Sequence, residues 1–273
     1  MKCVYEDGTE KLLEYNDSLD LGGIVKINAS NLGLTEWNVK LPEELQEFWI
    51  YNNKLTEWNV KLPEGLQRFS IDNNELTEWN VKLPERLQRF WINNNKLTKW
   101  NVKLPEGLQK FSIYNNKLTK WNVKLPEGLQ EFWIGNNELT KWNVKLPEKL
   151  QIFWISDNKL TEWNVKLPEG LQEFSINYNK LTEWNVKLPE GLQYFWIDNN
   201  ELQWVCEGIK TKTICKKESV TYYVPSLLSL CCDIVDPPEY VNIKKVVCGK
   251  FSGYAVRKEE YIVKNECRIR ILK

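Results

Sequence analysis

The chain contains no histidine among its 273 residues. That absence excludes Ser-His-Asp and Cys-His catalysis, histidine metal sites and charge switching near neutral pH. There is a single methionine and no net charge, with 37 basic residues against 37 acidic ones. Nothing in that balance calls for nucleic acid. No apolar run approaches the length of a membrane span. Met1 to Asp7 lack an apolar core, so no secretory signal is expected. Seven cysteines without such a signal read as reduced thiols in a cytosol, that of a host cell included. No Cys-x-x-Cys pair is present, which argues against zinc on Cys206, Cys215, Cys248 and Cys267. No metal and no cofactor are expected.

What the chain does have is repetition. The stretch LTEWNVKLPEGLQRFSIDNNE, Leu55 to Glu75, belongs to a series of eight copies that runs without a gap from Leu34 to Glu201. The spacing is always 21 residues. A fixed period of this length signals a solenoid in which each copy buries its apolar face against the next. Within a copy, Leu45, Phe48 and Ile50 alternate with Glu47, Trp49 and Tyr51. That period of two predicts a strand with the first set inside and the second outside. Neighbouring copies should pair as a parallel sheet about 4.8 Å apart.

The frame of Leu45, Phe48, Ile50, Asn53 and Leu55 resembles the leucine-rich repeat. The LPE and LPEG steps and the short period are similar to the subtype of secreted bacterial effectors. The resemblance covers about three fifths of the chain. It implies a β-rich horseshoe or arc with a parallel concave sheet of about nine strands, extended convex arms and caps at both ends. The arm LTEWNVKLPEG is too short, too alternating and too proline-marked for an α-helix. Eight of the 14 tryptophans fall at the Trp58 position. There they should stack inside the core, each indole N–H finding a turn carbonyl. Asn53 and its equivalents should form a ladder that satisfies turn amides of their own and the next copy. Gln46 and its equivalents recur as strictly.

Three regions follow. Residues 1–33 form an N-terminal cap, with a hairpin around Asp7-Gly8 and a degraded strand in which Ile24, Ile27 and Ala29 take the places of Leu45, Phe48 and Ile50. Residues 34–203 are the solenoid. Residues 204–273 are a C-terminal cap or small α+β domain, with 13 Lys and Arg against 8 Asp and Glu, a net of +5. Two charged columns, Lys61 and its equivalents and Glu64 and its equivalents, read as a solvated, mutually compensating face.

The copies differ from one another mainly at the outward strand positions. The candidate partner-binding residues are Trp49, Arg68, Arg89, Trp91, Tyr114, Trp133, Trp154, Tyr194 and Trp196. Rows of exposed tryptophan flanked by Arg and Tyr are typical of protein interfaces. The other reading is that Trp/Ser alternation records duplication of a 42-residue pair, with rings covering their neighbours. Glu47, Glu131 and Glu173 argue against phosphates as ligands.

Two further resemblances concern the last segment. Val224 to Cys231, followed by Cys248-Gly249-Lys250-Phe251, is similar to the C-terminal flank of some eukaryotic leucine-rich repeat proteins that serve as substrate receptors of cullin ubiquitin ligases. Within it, Ser226, Leu227, Cys231 and Val235 resemble an elongin-binding box, which implies a helix docked in an adaptor groove. An apolar helix sealing the last repeat would give the same pattern. Cys231-Cys232-Asp233 resembles the nucleophile motif of bacterial effector ubiquitin ligases. Their catalytic domain is large and helical, and 70 strand-rich residues do not make one. The expectation is a non-enzymatic scaffold that recognises a protein, with the substrate receptor as the alternative.

Overall fold

The computed structural model describes residues 1–16, 18–202 and 204–205, together with four short strands nearer the C-terminus, Lys216–Lys217, Val220–Thr221, Glu260–Lys264 and Cys267–Ile271. The motif at Ser226–Val235, the Cys231-Cys232-Asp233 triplet and Cys206, Cys215 and Cys248 lie outside the described residues. The chain divides into two compact units, Met1–Glu138 and Leu139–Lys273.

In the first unit, β1 (Lys2–Tyr5) and β2 (Glu10–Leu12) form an antiparallel hairpin. Gly8 turns it with a φ of 85°, a value that needs a residue without a Cβ. β1 also runs antiparallel to β3 (Ile24–Asn28). From β3 onward every strand is parallel: β4 (Glu47–Trp49), β5 (Arg68–Ser70), β6 (Arg89–Trp91), β7 (Lys110–Ser112) and β8 (Glu131–Trp133). The register advances by 21 residues at each step, with Ile27 opposite Phe48 and Phe48 opposite Phe69. The second unit repeats the scheme with β9 (Ile152–Trp154), β10 (Glu173–Ser175) and, after the two-residue β11 (Glu183–Trp184), β12 (Tyr194–Trp196). β11 pairs with β13 (Trp204–Val205), so Val205 takes the backbone place that Trp184 holds one coil earlier. Among the described residues there is no helix, and none that could cross a membrane.

The core is made of columns. Leu45, Phe48 and Ile50, and their equivalents, are almost fully buried. The phenylalanine rings stack directly: Phe69 on Phe90 at 5.4 Å in the first unit, Phe174 on Phe195 at 5.6 Å in the second. The Trp58 column lies behind them, also buried, with Trp79 and Trp100 stacked at 6.3 Å. Each of these indoles donates to the carbonyl two residues on, Trp79 Nε1 to Val81 at 2.8 Å. Apart from β11, the arms between Leu34 and Gly191 have no regular secondary structure.

Two ladders tie coil to coil. Asn74 Nδ2 donates to the carbonyls of Ile50, Ile71 and Asp72, and its Oδ1 accepts the Leu55 amide. The amide therefore serves the preceding copy and its own, not the next one as the sequence suggested. The reason is the parallel stagger, which puts the preceding coil's turn within reach of this side chain. The glutamine ladder runs through the backbone: the Gln67 amide donates to the Gln46 carbonyl at 2.8 Å.

A third column is conformational. Asn52, Asn73, Asn94, Asn115 and Asn136 all have φ near +50°, where asparagine is the best-tolerated residue after glycine. In the second unit the same left-handed turn is occupied by Asp157, Tyr178 and Asn199.

Candidate interaction surfaces on the sheet

Because side chains alternate along a strand, the outward positions of each strand form three columns on the open face of the sheet. The two units present different versions of this face.

In the first unit the leading column is ionic. Glu47 pairs with Lys26 at 3.1 Å and with Arg68 at 3.2 Å, and Lys110 pairs with Glu131 at 2.6 Å. Between them, Arg89 sits in register with Arg68 on one side and Lys110 on the other. Three adjacent strands thus carry a positive charge, and Arg89 has no ion-pair partner among the described residues. The middle column alternates. Trp49, Trp91 and Trp133 are half-buried, whereas Ser70 and Ser112 between them are buried. Large rings on both neighbouring strands shade each serine, and the rings keep an edge in water. Of the two sequence readings of the alternation, shielding and exposure are therefore both physically present.

The third column of this unit is a hydrogen-bonded chain. Asp72 accepts the Ser70 hydroxyl at 2.8 Å and the Asn93 amide at 2.6 Å. Asn93 in turn accepts the Ser112 hydroxyl and the Tyr114 amide. Desolvation pushes the Asp72 carboxyl above its ordinary range, against the pull of these hydrogen bonds. Tyr114 is exposed at the end of the chain.

In the second unit the face is aromatic. Trp154 and Tyr194 are among the most exposed large apolar side chains, at 37% and 39%. Trp196 is half-buried and joins them: its ring stacks on Tyr194 at 5.6 Å and meets Trp154 edge-on at 6.1 Å. Trp154 and Trp196 stand on strands separated by β10, so their rings lean toward each other over the buried Ser175. Glu173 lies in register between Ile152 and Tyr194. Unlike Glu47 and Glu131, it has no basic partner among the described residues.

Sequence reasoning named aromatic residues of both faces and Arg68 and Arg89 of the first. It used Glu173 only against phosphates and gave Asp72 and Ser175 no role. The signal for Glu173 was available: its register neighbours are the two copies in which the leading column is uncharged.

The repeat frame, the parallel register, the asparagine ladder and the helix-free arms define a leucine-rich-repeat solenoid. No family model matches the chain, and no curated protein matches it either. Solved structures do. The chain is similar to YopM from Yersinia enterocolitica WA-314, with a TM-score of 0.56 and 25% identity over 67% of this chain and 44% of that one. It is also similar to the functional domain of InlJ from Listeria monocytogenes, which includes a cysteine ladder, with a TM-score of 0.65 and 25% identity over 70% of this chain and 43% of that one. The chain spans less than half the length of either.

Proposed function

We propose that this chain is a non-enzymatic scaffold that binds protein through the outward face of its sheet. The fold shared with YopM and InlJ supports an interaction scaffold. The single observation that carries the reading further is the distribution of variation. Inward positions hardly change from coil to coil, while the outward ones hold half-exposed tryptophan, tyrosine and arginine. Such residues are costly to expose and dominate binding energy where they are covered. Trp49, Arg68, Arg89, Trp91, Tyr114 and Trp133 are the contacts in the first unit, and Trp154, Tyr194 and Trp196 those in the second. Seven cysteines suit a reducing cytosol, a host's included, as the place of action.

The test is affinity capture from a candidate host lysate with the wild-type chain and the Trp91→Ser/Trp133→Ser variant. Loss of specific partners from the variant, with folding intact, supports the reading. Retention of every partner overturns it. The residue match at Ser226, Leu227, Cys231 and Val235 supports a second reading, recruitment of an elongin adaptor by a ubiquitin-ligase substrate receptor. A pull-down with elongin B/C by purified, folded protein decides that one.

A further inference from the structure

The two faces differ in how their carboxylates are neutralised. In the first unit Glu47 is held between Lys26 and Arg68, and Glu131 by Lys110. In the second unit the outward strand positions are Ile152, Trp154, Ser156, Glu173, Ser175, Asn177, Tyr194, Trp196 and Asp198, with no lysine or arginine. Glu173 is half-buried between an isoleucine and a tyrosine, and no cation faces it within this unit's described residues. Two further carboxylates, Asp157 and Asp198, lie at the strand ends of the same unit. They are near enough that the Asp198 charge adds to desolvation in raising the Asp157 carboxyl.

Beside this uncompensated charge stands a corner of three rings. Tyr194 and Trp196 are stacked nearly parallel at 9°, and Trp154 meets Trp196 at 71°. Exposed ring faces attract cations, and a nearby carboxylate adds a counter-charge. A neutral sugar would use the rings and leave Glu173 uncompensated. A phosphate-bearing ligand would be repelled by all three carboxylates. Lysine would satisfy the charge, but its compact, strongly hydrated head stacks poorly. Arginine is planar, weakly hydrated and able to grip a carboxylate with two parallel donors.

We propose that the second unit's face takes an arginine side chain of a partner peptide, its guanidinium stacked in the Trp154–Tyr194–Trp196 corner and paired with Glu173. This rests on the reading of the sheet face as a protein-binding surface and adds the chemistry of the partner.

The experiment is calorimetric titration of the full chain with a short N-acetylated, C-amidated peptide bearing arginine at alternate positions. A matching peptide with citrulline at those positions keeps the shape and removes the charge. The variants are Glu173→Gln and Trp154→Ser, the latter installing the residue that the following copy carries at Ser175. Circular dichroism confirms that both fold. The wild type is expected to bind the arginine peptide at least tenfold more tightly than the citrulline one. Glu173→Gln should abolish that preference, Trp154→Ser should weaken binding at least fivefold, and Asn122→Ala, on an exposed arm of the other unit, should leave both unchanged. Equal binding of the two peptides, no binding of the arginine peptide, or an unaltered preference in Glu173→Gln overturns the proposal. So does self-association, seen in sedimentation, that Glu173→Gln removes, since the occupant would then be a second copy. Failure of the general reading looks different: every partner in the lysate capture would survive the Trp91→Ser/Trp133→Ser change, whatever the peptides do.

Discussion

Asn74 Oδ1 accepts the backbone amide of Leu55, 19 residues earlier in the chain, at 3.0 Å. One side chain thereby closes the turn of the coil before it, and the same bond recurs at Asn95, Asn116 and onward. Both partners are buried, so losing it is costly. Asn116→Ala strands the Leu97 amide away from water and leaves the Ile92 carbonyl only its longer bond from Asn95 Nδ2. An unsatisfied buried group costs about 1–3 kcal/mol. Urea unfolding of Asn116→Ala should show a loss in that range, and Asn122→Ala, on an exposed arm position, should show almost none.

Inner and outer tryptophans should respond differently to truncation. Trp100 is 2% exposed, stacks on Trp79 and Trp121 and donates to the Val102 carbonyl. Trp100→Ala should cost about 3–5 kcal/mol. Trp91→Ser places at that site the residue already found at Ser70 and Ser112 and empties no buried space. Its cost should stay below that of Trp100→Ala, since part of the ring already lies in water. Thermal unfolding of the pair measures both.

Tyr178 holds a φ of 52° in a column otherwise occupied by asparagine and one aspartate. A left-handed backbone costs a residue with a bulky side chain about 1–2 kcal/mol, and asparagine much less. Tyr178→Asn should therefore stabilise the chain by about 1 kcal/mol in equilibrium denaturation. A neutral or destabilising result would mean that the tyrosine ring contributes more than its backbone costs.

The Asp72 carboxyl titrates above its ordinary range in the folded chain because burial disfavours its charge. Between the ordinary value and the raised one, the folded state holds a proton that the unfolded state has released. Stability from this group is therefore greatest below the ordinary value and declines as pH rises through the window. Asp72→Asn removes the slope and should raise stability at neutral pH. Asn93, which occupies the equivalent place one coil later, shows that the amide fits. Urea midpoints for both proteins across the acidic range to neutrality check the sign.

Much of this was legible because the period of 21 fixes backbone register. Once Phe48 is inside, Phe69 and Phe90 are inside too, and an indole in a dry core needs a carbonyl such as that of Val60. Ile27 could be placed opposite Phe48 from spacing alone. What spacing does not encode is the lean of a side chain. The backward reach of Asn53 and the meeting of Trp154 with Trp196 over Ser175 depend on angles between coils. The pairing of Glu47 with two cations, and the lack of any for Glu173, depends on which copies happen to be neighbours. These distinctions decide the character of each face; the copy order carries the second, and the first emerges only with side chains in place.

The central claim is that the coil encloses one tryptophan column and leaves another at the water boundary. Hydroxyl-radical footprinting read residue by residue by mass spectrometry measures this directly. Trp49, Trp91, Trp133 and Trp196 should oxidise readily and Trp154 fastest, while Trp79, Trp100, Trp121 and Trp163 stay protected until the chain unfolds. Equal oxidation of Trp100 and Trp91 in the folded protein would contradict the account.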